Sequence, residues 1–283
     1  MKLRETLRNM HIVYHPYVFL KGVLNAKINQ DIHSLLLFIG YPRSGSSTLA
    51  SILDAHKNIL ISHELNALDY FRKGYNKNQL FWLIRKNSRL SALRNRISSN
   101  YPGIIVNQCN GEAFPCTIIG DKKAGGSTAI IEKYPSLIND IPSKFGVKLK
   151  LVHIIRNPFD MITTQAYGGN RLQKNITRAD IESAINFCFQ KLDTIEKLTK
   201  YVPPLDIFHV RHEDLIANPK PTLSGILKWL NAEIDDQYLK DCENHLFKEP
   251  HQSRKKFNWP PDLIEMVEEK ISQLTILKGY TFE

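Results

Sequence analysis

The stretch with the clearest capacity for chemistry is GYPRSGSST, residues 40–48. It joins an apolar run to a helical pattern, and in such a strand–turn–helix the backbone N–H groups and the helix N-terminus can bind an anion. Its two glycines have the spacing of a nucleoside triphosphate-binding loop, but Ser46 stands where that loop has lysine. The positive charge of this loop comes instead from Arg43, three residues before Ser46. The loop therefore predicts a site for a shorter anionic group, bound without a metal ion, although a Ser-rich helix start is also a good N-cap. The residues predicted to bind the anion are Arg43, Ser44, Gly45, Ser46, Ser47 and Thr48.

A second candidate anion site follows the apolar run at residues 149–155. Arg156 ends that run, Asn157 and Pro158 follow it, and Thr164 lies two helical turns further on. A guanidinium at a strand end, together with a hydroxyl on the next helix, forms a fork for a phosphate group. Because ligands of open α/β sheets bind at the carboxyl ends of the strands, the chain predicts two anion sites on one sheet edge.

These residues need a sheet to position them. Short apolar runs alternate with longer helical patterns, which predicts an α/β fold of one domain with a central, mainly parallel sheet flanked by helices, as in P-loop NTPases. The predicted strands are residues 35–39, 59–62, 117–120, 149–155 and 205–210. The predicted helices are residues 47–56, 128–139, 158–167, 178–201, 221–230 and 261–274. Residues 65–116 are less regular and basic, and we expect a helical insertion over the sheet there.

Composition narrows the class of protein without naming a function. The 283 residues are 42% hydrophobic and carry a net charge of +10, which suits anionic partners in general. The four cysteines form no CxxC pair, so we expect reduced thiols. The basic N-terminus lacks an apolar run of signal-peptide length, and no window approaches the roughly 20 apolar residues of a membrane span. We therefore expect a cytoplasmic protein, while contact of the first 30 residues with a membrane stays open.

Taken together, the two loops resemble those of the sulfotransferases that use 3′-phosphoadenosine 5′-phosphosulfate (PAPS). In that family a loop like YPRSGSSTL binds the 5′-phosphosulfate, and an Arg-Asn-Pro strand end with a hydroxyl eight residues after the arginine binds the 3′-phosphate. Arg156 and Thr164 have that spacing. The resemblance extends over about residues 34–282 through LDAH, GDK, VRHEDLIANP, SRKKFNW and LKGYTF. It implies PAPS as donor, adenosine 3′,5′-bisphosphate (PAP) as product, no metal, and a sulfotransferase domain at residues 34–283 after an N-terminal helical extension at residues 1–33.

The resemblance also implies which residues do the chemistry. Glu64, after the second predicted strand, occupies the position of the base in the branch that includes tyrosylprotein sulfotransferases. Its neighbour His63 is the alternative, because the cytosolic small-molecule branch uses a histidine, although on a different segment. Arg43 and Lys122 are expected to stabilise charge on the leaving phosphate, with Lys123 as the alternative to Lys122.

Three further positions follow from the resemblance. The late loop of the family adds basic residues to the 3′-phosphate site, which makes Arg254, Lys255 and Lys256 candidates, although a basic run is often a solvated surface. His212 stands in VRHEDL where many relatives have tyrosine near the adenosine, so the adenine contact stays open.

Two other functions compete with sulfuryl transfer. A P-loop-type nucleotide kinase needs the missing lysine and an aspartate for magnesium, for which Asp121 alone is a weak substitute. A basic nucleic-acid-binding protein is suggested by the charge, but no recognisable motif interleaves aromatic with basic residues, and we expect no nucleic-acid partner. The acceptor is expected to be a hydroxyl or amine of a small molecule, lipid or glycan. The basic residues of the 72–96 segment suggest an anionic or carrier-bound acceptor or, equally, a solvated helix face.

Overall fold

A sheet of five parallel strands forms the centre of the computed structural model, which describes residues 11–94, 103–168, 175–199, 203 and 206–283. The strands are β1 (Ser34–Ile39), β2 (Ile59–His63), β3 (Ile118–Lys122), β4 (Lys148–Ile155) and β5 (Ile207–Arg211). Their order across the sheet is β2-β3-β1-β4-β5, and every described pair is parallel. The predicted fold class, a central mainly parallel sheet flanked by helices, is confirmed.

Helices connect the strands and cover both faces of the sheet. They are α1 (His11–Leu24), α2 (Ser46–Asp54), α3 (Ala67–Arg72), α4 (Lys77–Leu93), α5 (Ala124–Lys133), α6 (Leu137–Phe145), α7 (Pro158–Ala166), α8 (Arg178–Thr199), α9 (His212–Ala217), α10 (Pro219–Leu230), α11 (Asp236–His245) and α12 (Pro261–Ser272). Short 3-10 helices are found at Lys27–Asn29, Ser253–Lys256 and Thr275–Leu277. None of the described helices is long and apolar enough to cross a membrane.

The alternation of side chains along β1 divides the core into two layers. Leu35 and Leu37 pack into one buried cluster with residues of α1, α4, α5, α7, α8 and α12. Leu36 and Phe38 point to the opposite face and pack with α2, α10 and α11. Successive side chains of a strand point to opposite faces, so a strand covered on both sides is apolar at every position. This is why the sequence SLLLFI of β1 has no polar alternation.

The prediction of one helix at residues 128–139 is wrong. The structure has α5 from Ala124 to Lys133 and a separate α6 from Leu137. The break falls at Tyr134, whose φ of −135° and ψ of 70° lie outside the helical region. A residue that precedes a proline is sterically disfavoured in the helical conformation, and Pro135 follows Tyr134 directly.

Other boundaries move by a few residues. β3 extends two residues further than predicted, to Lys122, and β5 begins at Ile207. Residue 205, where the fifth strand was predicted to begin, and residues 200–201, predicted as the end of a helix, lie outside the described residues. The first helical turns predicted for Pro158, Pro221 and Pro261 are observed in α7, α10 and α12.

The predicted insertion at residues 65–116 is helical in its first half. It contains α3 and α4, and α4 begins with a capping box in which Asn76 and Gln79 exchange side-chain-to-backbone hydrogen bonds of 3.0 and 2.9 Å. Residues 103–116 contain no helix, and residues 95–102 lie outside the described part of the chain. α4 packs on β2 and on α1. The insertion therefore lies beside the strand that precedes Glu64.

The strand order makes one edge of the sheet a place for a ligand. The chain leaves the central strand β1 toward β2 and β3 on one side and then crosses to β4 and β5 on the other. Such a reversal leaves a crevice at the carboxyl ends of the strands, between connections that depart in opposite directions. The crevice is expected beside the loop that follows β1.

Candidate active site

The predicted site residues follow adjacent strands at this carboxyl edge. In spatial order, the edge carries Glu64 after β2, Lys122 at the end of β3, the 40–45 loop after β1, Arg156 after β4 and His212 after β5. Neighbouring strands are about 4.8 Å apart, so β2 and β4 are separated by roughly 14 Å. Glu64 and Arg156 therefore stand on opposite sides of the 40–45 loop.

The loop after β1 turns sharply before it enters α2. Gly40, Arg43 and Gly45 have positive φ values of 131°, 72° and 94°. Ser46 and Ser47 form the first turn of α2, where backbone N–H groups have no acceptor within the helix. The hydroxyl of Ser44 instead donates to the Tyr41 carbonyl at 3.2 Å. The first-turn amides are therefore not used within the helix, and the hydrogen bond of Ser44 constrains the shape of the loop.

Gly45 is required by the approach of His212. A Cβ at position 45 would lie 2.4 Å from Nδ1 of His212, well inside van der Waals contact. The His212 ring is buried, and desolvation together with the charge of Arg156 lowers its pKa to about 3, so the ring is neutral. Among the residues that the structure describes, its Nδ1 has no hydrogen-bond partner. The loop therefore packs directly on a neutral imidazole that retains an unused polar atom.

Arg43 and Arg156 bring two cations to the same edge. Nη1 of Arg156 donates to the Arg43 carbonyl at 3.1 Å, which ties the loop to the strand end. Nε of Arg43 is buried and has no hydrogen-bond partner in the described part of the chain. Within the residues that the structure describes, neither guanidinium forms an ion pair. Burial lowers the pKa of Arg156, and the nearby carboxylates of Asp160 and Glu213 offset only part of this effect. Burying a charge without a direct ion pair is costly, so these cations suit a bound anion.

A second group of contacts assembles around Arg156. Its Nη2 donates to the His251 carbonyl at 2.7 Å and to Oγ of Ser253 at 3.3 Å. The hydroxyl of Thr164 lies 3.0 Å from the same Oγ of Ser253 and donates to the Asp160 carbonyl at 2.8 Å. Arg156, Thr164 and Ser253 therefore meet at one point. Ser253 was not among the predicted site residues, and its place directly before the RKK run was the available signal.

The basic run after Ser253 divides into two roles. Arg254 forms a buried ion pair with Asp160, with Nη1 2.6 Å from Oδ2, and its backbone N–H donates to Oδ1 at 2.8 Å. This guanidinium therefore fastens the 3-10 helix to α7. Lys255 and Lys256 are exposed. Of the three candidates for a phosphate, the two lysines are the ones with no ion pair among the described residues.

Glu64 lies between the two candidate lysines. Its Oε1 is 2.6 Å from Nζ of Lys122, and its Oε2 is 2.6 Å from Nζ of Lys123. The Lys122 side chain is 7% exposed and that of Lys123 is 35% exposed. Burial alone would raise the pKa of Glu64, but the two ammonium groups outweigh it and hold that pKa below its ordinary 4.5. The carboxylate is ionised and is bound by two ammonium groups.

Asp121 shapes the turn that presents Glu64. It is fully buried, and its carboxylate accepts from the Ser62 hydroxyl at 2.7 Å and from the backbone N–H groups of Leu65 at 3.1 Å and Ala67 at 2.8 Å. These bonds bracket Glu64, which has a φ of +60°. Burial raises the pKa of Asp121, against the effect of its hydrogen bonds. His63, which precedes Glu64, is the last residue of β2 and is buried. Its backbone N–H donates to Oδ1 of Asn87 at 2.9 Å.

Several basic residues of the insertion are held by contacts with other parts of the chain. Arg85 donates from Nε to Asn29 and from Nη2 to the Ile28 carbonyl, at 3.2 and 3.0 Å. Lys86 lies over the rings of Tyr17 and Trp82. Arg89 pairs with Glu112, at 3.5 Å, and Arg96 lies outside the described residues. These contacts connect α4 to neighbouring parts of the chain, and they weaken the case for an anionic acceptor that rests on this segment.

Comparisons with known proteins give a consistent result. The model of the sulfotransferase family matches residues 36–236. The sulfotransferase domain from the curacin biosynthetic pathway is 14% identical with a TM-score of 0.52, and the match covers 86% of this chain and 97% of that one. Sulfotransferase STF9 from Mycobacterium avium is 12% identical with a TM-score of 0.52, covering 94% of this chain and 81% of that one. The likeness to these two structures shows a shared fold. No curated protein sequence matches the chain.

Proposed function

Since the chain belongs to the sulfotransferase family, we propose that it transfers a sulfuryl group from PAPS to a hydroxyl or amine group of an acceptor. The observation that supports the proposal most strongly is the pair of arginines at the crevice. Arg43 and Arg156 are linked to each other, and within the described residues neither has a carboxylate partner. A donor with two separate anionic groups would supply the direct ion pairs that both guanidinium groups lack among the described residues.

We assign the two anionic groups to two sets of residues. The backbone amides of Ser46 and Ser47, with the Arg43 guanidinium, would hold the 5′-phosphosulfate, and a lysine of a triphosphate loop is not needed there. Arg156, Thr164 and Ser253, which already contact one another, would hold the 3′-phosphate. Bound PAPS supplies the reactive sulfuryl group and a phosphate leaving group. The remaining residues assigned to the donor are Ser44, Gly45, Thr48, His212, Lys255 and Lys256, with Arg254 as a positioning residue.

Glu64 is the proposed base for the acceptor's proton. While Lys122 and Lys123 both bind its carboxylate, its pKa is low and it is a weak base. An anion at the 40–45 loop attracts the same ammonium groups, and each one that turns away from Glu64 lets the pKa of Glu64 rise. Lys122 and Arg43 can then stabilise the charge that develops on the leaving oxygen. Movement of the lysines from Glu64 to the donor would therefore raise the basicity of Glu64 and bring Lys122 to the leaving group in one step.

The structure gives less support to the two competing functions. A nucleotide kinase needs a carboxylate for magnesium at the end of β3, but Asp121 is buried and used by Ser62, Leu65 and Ala67. A nucleic-acid-binding surface would need the basic residues of α4, and Arg85 and Arg89 contact other parts of this chain. We infer an acceptor among small molecules, lipids or glycans.

The test combines binding with turnover. PAP without magnesium should raise the melting temperature, and ATP with magnesium should do so much less. Glu64→Gln should keep the PAP-induced shift and lower the transfer of labelled sulfuryl groups to an acceptor library by about 10²–10⁴-fold, the usual contribution of a general base. His63→Gln tests the alternative base, and Glu112→Gln is the control at an exposed carboxylate. Stabilisation by ATP and magnesium alone would overturn the proposed function, and full turnover by Glu64→Gln would overturn the assignment of the base.

A further inference from the structure

The first helix presents an apolar face to solvent. From residue 14 to residue 24, every exposed side chain of α1 is apolar or aromatic. These side chains are Pro16, Tyr17, Phe19, Leu20, Val23 and Leu24. Among the five large side chains of this set, the exposed fraction ranges from 43% at Tyr17 to 68% at Leu24, and Ile28 in the following 3-10 helix is 47% exposed. Such a face is unusual for a helix that remains in water, because solvated faces normally carry charged residues.

The opposite face of α1 is fixed against the rest of the protein. Val18 is fully buried in the core, and Gly22 packs on the start of α4. A Cβ at position 22 would lie 2.9 Å from the backbone nitrogen of Gln79, so the two helices touch through their main chains. A rotation of α1 would break this contact. The apolar face therefore cannot turn inward to bury itself.

The exposed apolar side chains are concentrated in this one place. Of the thirteen large hydrophobic residues that are exposed in the described part of the chain, six lie between Tyr17 and Ile28. The other seven are spread over the rest of the chain, from Leu93 to Met266. A concentration of this kind marks an interaction surface, whereas single exposed hydrophobic residues need no explanation.

Basic and aromatic residues border the apolar face. Nζ of Lys21 lies 5.8 Å from the ring centre of Tyr17, and Nζ of Lys86 lies 4.8 Å from that of Trp82. The Tyr17 and Trp82 rings are themselves 5.7 Å apart, and Lys27 is exposed at the end of the patch. In the sequence, residues 1–30 contain five basic residues, Lys2, Arg4, Arg8, Lys21 and Lys27, and one acidic residue, Glu5.

We propose that the exposed face of α1 binds an anionic membrane surface. An apolar helix face with basic residues along its border and aromatic rings beside it is the arrangement of helices that lie in the headgroup region of a bilayer. The lysine stems can cover apolar surface while their ammonium groups reach lipid phosphates. With 14 residues, α1 is about 21 Å long and lies on the bilayer rather than across it.

The same surface lies near the carboxyl edge of the sheet. Trp82, which packs on Tyr17, and Asn87, which accepts from the N–H of His63, both belong to α4 and are separated by five residues, or about 7.5 Å along the helix axis. Membrane binding would bring the proposed active site close to the lipid headgroups. The membrane-binding proposal itself does not depend on the reaction that the site catalyses.

The test is sedimentation of the full-length protein with lipid vesicles. We expect binding to vesicles of phosphatidylcholine with phosphatidylglycerol and much weaker binding to phosphatidylcholine alone, with a difference that shrinks as salt increases. Leu20→Gln with Leu24→Gln should lower the partition coefficient by about tenfold or more, because each leucine loses its burial in the bilayer. Lys21→Glu with Lys27→Glu should remove most of the preference for the anionic lipid. Each lysine charge that is removed should lower the partition coefficient by about fivefold.

The control is Ile234→Gln with Met266→Gln, which removes two exposed apolar side chains outside the patch and should leave binding unchanged. Circular dichroism and the PAP-induced thermal shift report whether each variant keeps its fold. The proposal is overturned if the wild-type protein ignores anionic vesicles, or if the leucine variant binds as well as the control. It is also overturned if the protein is a dimer that the leucine variant dissociates and that does not bind vesicles, since a second copy would then cover the face.

Discussion

Replacing Arg156 with lysine should separate recognition of the two phosphates of the donor. The guanidinium makes three contacts, with the carbonyls of Arg43 and His251 and with the Ser253 hydroxyl, at 3.1, 2.7 and 3.3 Å. Lysine keeps the charge, but its single ammonium cannot reproduce the planar fork. If Arg156 binds the 3′-phosphate, Arg156→Lys should lose at least one charge-assisted hydrogen bond to it.

The magnitude follows from the energy of such a bond. A hydrogen bond to a charged group contributes roughly 1.5–3 kcal/mol, so the dissociation constant of PAP should rise by about 10- to 100-fold. Adenosine 5′-monophosphate has no 3′-phosphate, and its affinity should change little. The variant also loses bonds to two backbone carbonyls, so the free energy of unfolding without ligand should fall by about 1–3 kcal/mol.

Calorimetric titration of both nucleotides provides the assay. The quantity to compare is the dissociation constant of adenosine 5′-monophosphate divided by that of PAP. The ratio should fall by about the same 10- to 100-fold in Arg156→Lys. Arg211→Lys is the matched control, because Arg211 ends the neighbouring strand β5 and stacks on Tyr280. It should leave the ratio unchanged. Equal weakening of both nucleotides would refute the assignment, because Arg156 would then act only by shaping the 40–45 loop.

Two further predictions concern the loop and the buried core. Gly45→Ala should abolish the PAP-induced thermal shift, because the new Cβ would lie 2.4 Å from His212. Gly146→Ala is the control, since Gly146 also has a positive φ but has open space around it. A normal thermal shift in Gly45→Ala would contradict the close packing of the loop on His212. Burial raises the pKa of Asp54 from 3.8 to about 7, so stability should fall as pH rises from about 4 to 7, by on the order of 4 kcal/mol. In urea unfolding, Asp54→Asn should show a smaller change of the unfolding free energy with pH, and at about pH 8 it should be more stable than the wild-type protein. The same pH dependence in both proteins would contradict the raised pKa.

The elements that sequence could predict are those with local signals. The five apolar runs located the strands, and the glycine spacing of the 40–45 loop located the turn before α2, because both depend on neighbouring residues alone. Tyr134 carried a local signal as well, the proline that follows it, and the helix there was nevertheless predicted to continue. The apolar periodicity continues past Tyr134, but a residue before proline is disfavoured in the helical conformation, so the helix ends there.

The parts of the site that sequence could not predict depend on contacts across the chain. Thr164 and Ser253 are 89 positions apart, and only the packing of the 3-10 helix on α7 brings their hydroxyls together. The sequence left open whether Lys122 or Lys123 faces the crevice, and the structure places both on Glu64 because the strand ends there and the backbone turns. Asp121 was considered only as a metal ligand, whereas its hydrogen bonds show a role in shaping the turn around Glu64.

The cations of the candidate site fall into two classes, and the difference bears on the order of binding. Lys122 and Lys123 share the carboxylate of Glu64, which neutralises one of their two positive charges, whereas Arg43 and Arg156 form no ion pair among the described residues. On the proposed function, an anionic donor would be attracted first to the arginines, because they form no direct ion pair among the described residues. The lysines can turn to it only by leaving Glu64, which raises the basicity of that carboxylate. On the proposed function, the base is thus strengthened when the donor is bound, and an acceptor that arrives earlier meets a carboxylate still held by two ammonium groups.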